Sequence, residues 1–195
     1  MKKRVYLEEE EIEEEVVIPL LPKFMQEETE MSGASRGTAY HRVLELLDFA
    51  KDYNASELKE AIRDMVKKCL LTEEMEACVE ISDILKFLES PVAKRMQKAS
   101  QKNQFHAEQP FVLGEEKEDS EMVLVQGIID VYFEEDGELV VLDYKTDRVR
   151  RAEELLERYK LQLDYYAEVL EKVTEKRVKE KMIYSFTLQK EIEVK

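Results

Sequence analysis

The chain has 195 residues, enough for one sizeable domain that can bury a core without metal or disulfide staples. Its 38% charged and 44% hydrophobic residues are the balance of a soluble globular protein; no apolar run approaches the roughly 20 residues a bilayer requires, and the charged start is not a signal peptide, so a cytoplasmic location with no membrane partner is expected. With 30 Lys and Arg against 45 Asp and Glu, the net charge of -15 repels nucleic acid at long range, and any nucleic-acid function must overcome it.

In chain order, residues 1–32 read as an acidic extended arm: a glutamate-rich run, then "VVIPLLPKF", whose two prolines argue against a helix. A domain over 33–195 follows, with a helical part at about 35–100 and a sheet core at about 104–195. After the loop "SGASRG", the stretch "TAYHRVLELLDFAKDY" repeats apolar residues at helical spacing and predicts about four turns. Further helices are predicted from about Ser56 to Leu70, from Glu73 to Leu88 behind a Thr72 cap, and briefly after Pro91. Cys69 and Cys78 fall in this helical part without a CxxC spacing, so neither a disulfide framework nor a zinc site is expected.

After Asn103 the composition turns to Val, Ile, Phe and Tyr, and three strands are predicted: "FHAEQPFVL", "EMVLVQGIIDVYF" and "ELVVLDYKT". A long amphipathic helix from about Arg151 to Val173 leads to a fourth strand, "KMIYSFTL", and "KEIEV" adds an edge strand. A strand reached through a helix tends to lie parallel, so the fold class is α/β with a mixed sheet flanked by helices.

Asp136-Gly137 is a two-residue turn signal that fixes a hairpin register: Glu135 opposite Glu138, Glu134 opposite Leu139 and, counted outward, Asp130 opposite Asp143. Ile129, Val131, Phe133, Val140, Leu142 and Tyr144 then share a core face, while Asp130, Asp143 and Lys145 share the other. Opposed residues stand roughly 4.5–5.5 Å apart at Cβ, where two carboxylates repel. A shared proton, a buried lysine or a hard divalent cation can offset that repulsion, and a solvent-exposed acid pair with Lys145 as counter-ion fits the same residue types.

The ordered set "GTAYH" (Gly37 to His41), "GIID" (ending at Asp130), "DYKT" (Asp143 to Thr146) and "QLDYY" (Gln162 to Tyr166) resembles the PD-(D/E)XK nuclease superfamily. The form of GxxxH and QxxxY is similar to its RecB-like branch, and most to the nuclease domain of the AddA-type helicase-nuclease subunits. The resemblance runs from Pro22 onward and implies a restriction-endonuclease-like fold with a helical N-terminal part. It implies Mg²⁺ or Mn²⁺ held by His41, Asp130, Asp143 and the Tyr144 backbone carbonyl, with Asp130, Asp143 and Lys145 as the catalytic set. Gln162 and Tyr166 would support the active site or the DNA. Glu108 has either a secondary site role or that of a strand-end charge, and Tyr159 packs, with a phosphate contact as the alternative.

Asp147 reads as a cap for the following helix rather than as a partner that orients Lys145, and His106 as an ordinary polar residue. Ile129 stands where the family usually has proline. Two cysteines cannot supply the four thiolates of the iron-sulfur cluster that some relatives carry, and no GxxxxGK[ST] nucleotide site occurs. The implied activity is hydrolysis of DNA phosphodiesters, as an exonuclease in recombination and double-strand break repair. The implied partners are DNA, the remainder of a helicase-nuclease chain and its partner subunit. The competing expectations are a nuclease-like fold serving DNA binding or assembly without activity when isolated, and an acidic interaction module with solvent-facing carboxylates.

Overall fold

Local capping lays out the helical layer. The computed structural model describes residues 36–116 and 122–195, so the predicted acidic arm lies outside the described residues. Helix α1 spans Arg36–Leu46, shorter than the four turns predicted, because the Asp48 side chain accepts from the Ala50 N–H at 3.1 Å and offers the chain a turn in place of more helix. Helix α2 (Ala55–Lys67) opens on a reciprocal cap: Asn54 accepts from the Ser56 and Glu57 N–H groups, and Glu57 accepts in return from the Asn54 N–H. Thr72 caps α3 (Glu73–Cys78), and Ser90 with Pro91 starts α5 (Pro91–Ser100).

The single helix predicted over Glu73–Leu88 is two. Val79 and Glu80 are extended, and α4 (Ile81–Leu88) begins after them. The Glu80 N–H goes to the Tyr40 hydroxyl at 3.3 Å instead of to a helical carbonyl, and that hydroxyl donates to Asp83 at 2.8 Å. The break turns Ile84 and Phe87 fully into the core.

Strands β1 (Phe105–Glu116), β2 (Met122–Glu135) and β3 (Glu138–Lys145) form an antiparallel meander, α6 (Ala152–Thr174) crosses over, β4 (Val178–Ser185) returns parallel to β3, and β5 (Lys190–Glu193) closes one edge. Asp136 and Gly137 both have positive φ, 57° and 84°, as the two-residue hairpin turn demands, and the predicted pairs Glu135–Glu138 and Glu134–Leu139 form. Helices α1 to α5 cover one sheet face through Tyr40, Phe87, Tyr144, Tyr184 and Phe186, and α6 covers the other through Tyr166 and Leu170. Burial on both faces explains why every residue from Leu139 to Tyr144 is buried. The apolar face of the predicted amphipathic helix is buried from Leu155 to Leu170, but Val173 in the last turn is 71% exposed. Among the described residues no helix is long and apolar enough to cross a membrane.

The β2–β3 ladder stops at Val131–Leu142, one pair short of the two aspartates. On the other side of β2, the β1 pairing passes over Glu108, whose φ is +47°, between Ala107–Val131 and Gln109–Ile129. Side-chain alternation changes there: Ile129, predicted to share a face with Val131, packs instead with Leu139, Val141 and Tyr166 against α6. Nearby, the Phe111 ring lies where a Gly127 Cβ would stand, 2.8 Å from it, and meets Tyr166 edge-on.

At the far end of the sheet Arg95 forks onto Glu135 and Glu180. The Arg95 hydrogen bonds hold the Glu135 carboxyl down at about 2. A depressed carboxylate contributes stability above its unfolded value, and the contribution fades as pH falls through the folded value. Glu135→Gln is therefore expected to lower the urea midpoint at pH 7 by the equivalent of about 1 kcal/mol, the value of a partly exposed ion network. The gap to the parent should narrow as pH is taken from 4.5 toward 2.

Candidate active site

The site forms where β2 and β3 part. The Asp130 Oδ2 accepts from the Tyr144 N–H at 2.8 Å, so a carboxylate takes the place of a strand carbonyl across the seam. From α1, the His41 Nε2 lies 3.0 Å from the Tyr144 carbonyl, an acceptor only, so this nitrogen carries a hydrogen. The other ring nitrogen, Nδ1, sits 3.5 Å from Asp130 and 3.8 Å from Glu108. His41, Glu108 and Asp130 therefore form a group with ligand atoms all within 4.8 Å of one another. Helical spacing explains the delivery of His41: Ala39, Tyr40, Val43 and Leu44 bury the other side of α1. The unusual backbone at Glu108 brings in its carboxylate. Positive φ on a non-glycine residue costs energy, and such strain concentrates at functional positions.

Asp143 and Lys145 complete the site on the α6 side of the seam. The Lys145 Nζ is 2.6 Å from the Asp143 Oδ2, with side-chain exposures of only 11% and 2%. That carboxylate oxygen is buried without a well-oriented hydrogen bond and is held by the ion pair. Lys145 also lies 4.1 Å from the centre of the Tyr159 ring, and the Tyr159 hydroxyl donates to Asp147 at 2.8 Å. One turn further along α6, Gln162 donates to the Tyr166 hydroxyl at 2.6 Å.

These charges separate the two aspartates. Burial pushes Asp143 up to about 6, and its neighbour Asp130 adds to the rise against the pull of Lys145. Asp130 is driven down: burial opposes its charge, but the imidazolium of His41 outweighs burial. Desolvation would lower His41, yet the Asp130 carboxylate beside it holds the ring up at about 10. Three oxygen-bearing groups, the Tyr144 carbonyl, Asp130 and Glu108, thus converge on His41, whose Nδ1 proton a metal ion would replace. Such a donor set of hard oxygens with a histidine suits Mg²⁺ or Mn²⁺.

The sequence-predicted residues His41, Asp130, Asp143, Tyr144, Lys145 and Glu108 are brought together, and Tyr159, Gln162 and Tyr166 line the same side of α6. Asp143 stands outside the three-residue group and faces Lys145. The expected cap at Asp147 is not made: Arg151 occupies the N-cap of α6, and Asp147 accepts from Tyr159 and Arg158 instead. Its spacing of two from Lys145 was the available sign that both face α6. His106 stacks on Tyr132 with ring centres 4.5 Å apart, away from this group.

Comparisons with known proteins show what the chain is similar to. The chain is 36% identical to the A-type subunit of the ATP-dependent helicase/nuclease from Lachnoclostridium phytofermentans, over 92% of its length and 16% of that protein. It is 37% identical to the protein of the same name from Clostridium botulinum (strain Loch Maree / Type A3), over 100% of this chain and 16% of that one. A third, from Clostridium novyi, is 36% identical over 89% of this chain and 15% of its own. The chain thus spans about a sixth of the length of these curated relatives. The family model of the PD-(D/E)XK nuclease superfamily matches residues 16–194, and the mixed sheet flanked by helices fits its fold, so the chain belongs to that superfamily.

Proposed function

We propose that this chain is a metal-dependent deoxyribonuclease domain, acting as an exonuclease within a longer helicase-nuclease that serves recombination and double-strand break repair. The observation that carries the reading is the convergence of His41, Glu108 and Asp130 beside the Asp143–Lys145 pair. Mg²⁺ or Mn²⁺ would be held by His41, Asp130, Asp143 and the Tyr144 carbonyl, with Glu108 beside them, and would supply charge neutralisation at the scissile phosphate and an acidified water. Lys145 keeps its proton on Nζ, because Asp143 and Asp130 overcome the desolvation that would remove it. Its ammonium is thereby ready to stabilise negative charge on a phosphate oxygen. Gln162 and Tyr166 orient the backbone of the strand, and the covered site limits water.

Charge at this end of the molecule differs from the average. Arg148, Arg150 and Arg151 lie three to six residues after Lys145 and are all exposed, giving phosphates a local approach despite the net charge of -15. The remainder of the longer chain, together with its partner subunit, would supply the rest of the DNA path.

The test combines two measurements. Calorimetric titration with Mn²⁺ is expected to reveal a site that Asp143→Ala weakens. Linear DNA incubated with Mg²⁺ or Mn²⁺ is expected to be degraded by the parent and to persist with Asp143→Ala or Lys145→Ala. Equal degradation by all three would assign the activity to another site, and a parent that binds no Mn²⁺ would overturn the metal-dependent reading.

A further inference from the structure

Resting on the nuclease reading above, we infer that Tyr159 is the positioning residue for Lys145, and that Asp147 holds Tyr159 in that role. A lysine has a long stem with many rotamers, and a lone carboxylate partner fixes the distance of its ammonium better than its direction. Here Asp143 binds Lys145 from one side at 2.6 Å, and the face of the Tyr159 ring meets it on another, 4.1 Å from Nζ to the ring centre. The face of an aromatic ring is its negative side, and with a side chain only 11% exposed the attraction is little weakened by water.

The ring is itself anchored. Its hydroxyl donates to the Asp147 Oδ1 at 2.8 Å, and that same oxygen is 3.4 Å from Arg158, the residue before Tyr159 in α6. Donation to a carboxylate enriches the ring in electrons and strengthens its hold on a cation. Lys145, Tyr159 and Asp147 therefore form a closed tie between the end of β3 and α6, with Asp143, Lys145 and Asp147 spaced by two along the chain. Packing alone would be met by a leucine at 159. It does not account for a ring face set beneath an ammonium with its hydroxyl tethered to a carboxylate. The consequence is kinetic, because misplacing a reacting group by about 1 Å costs on the order of 10²-fold in rate.

The experiment uses the whole chain and reads the tie in two ways. In proton-carbon NMR spectra, the methylene next to the Lys145 nitrogen, identified by its loss in Lys145→Met, is expected upfield of the other lysines in the parent and in Tyr159→Phe. In Tyr159→Leu it should rejoin them. With Mn²⁺ and a short DNA, Tyr159→Leu is expected to lower kcat by roughly tenfold or more, the scale of outer-sphere supports. KM should stay within about twofold, because binding is not what the ring provides. Tyr159→Phe and Asp147→Ala are expected to lower kcat less, and the double variant no further than the worse single one, since both remove the same bond. A Lys145 signal that is not displaced in the parent, or a Tyr159→Leu enzyme with parental kcat, would overturn the inference. A parent without nuclease activity sinks the nuclease reading, and the displaced signal alone then upholds or overturns the Lys145–Tyr159 tie.

Discussion

Asp130→Ala is expected to abolish nearly all hydrolysis and to weaken the fold at the same time. Losing a preorganised charge at the reacting centre costs roughly 10²–10³-fold in rate. The alanine also leaves the buried Tyr144 N–H without its acceptor, worth about 1–3 kcal/mol. It strips His41 of the carboxylate that sustains its positive charge as well. Asp130→Asn separates the two effects, because an amide oxygen still accepts from Tyr144 while the negative charge is gone. Denaturant midpoints and DNA degradation rates measured together should show both variants inactive, with only alanine clearly destabilised. An asparagine variant as active as the parent would remove Asp130 from the chemistry.

The largest expected loss of stability lies at Phe87, in α4. The residue is fully buried, and its ring meets Tyr144 at 5.3 Å, Tyr184 at 4.7 Å, Phe186 at 5.8 Å and Phe49 at 6.2 Å between centres. Truncation to alanine opens a cavity among four aromatic rings and is expected to cost about 3–5 kcal/mol. That is a large part of the roughly 5–15 kcal/mol that holds a domain together. A fall of roughly 10 °C in Tm is the corresponding thermal signature. Because the Tyr144 ring rests on Phe87 while its N–H and carbonyl frame the site, catalysis should fail well below the unfolding temperature of the parent. A Tm change of a degree or two would show that the aromatic cluster is not the core of the helical face.

Features set by neighbours in sequence were legible in advance. The hairpin follows from Asp136-Gly137, and the parallel return of β4 from the crossover through α6. The four motifs single out the acids, the lysine and the α6 residues by their order along the chain. What escaped depends on partners distant in sequence. The break at Val79–Glu80 needs the Tyr40 hydroxyl some forty residues earlier to receive an N–H. The part played by Asp147 depends on Tyr159, and on the bare chain an aspartate ahead of a helix reads first as a cap. The change of facing at Ile129 requires a left-handed glutamate at 108, against the preference of its residue type, and no local pattern signals such a backbone.

The parted strands bear on how such a domain can age. Asp130 joins β2 to β3 where main-chain pairing has ended, so the acid proposed for the reaction is also a fastener of the architecture. A descendant relieved of its enzymatic duty could shed Lys145 together with its partner Asp143, leaving no buried charge unpaired, whereas shedding Asp130 would open a gap in the middle of the sheet. Selection for a folded molecule alone would then preserve part of the active centre. A lone surviving aspartate in a silent copy would testify to foldedness, and the lysine would be the surer witness of catalysis.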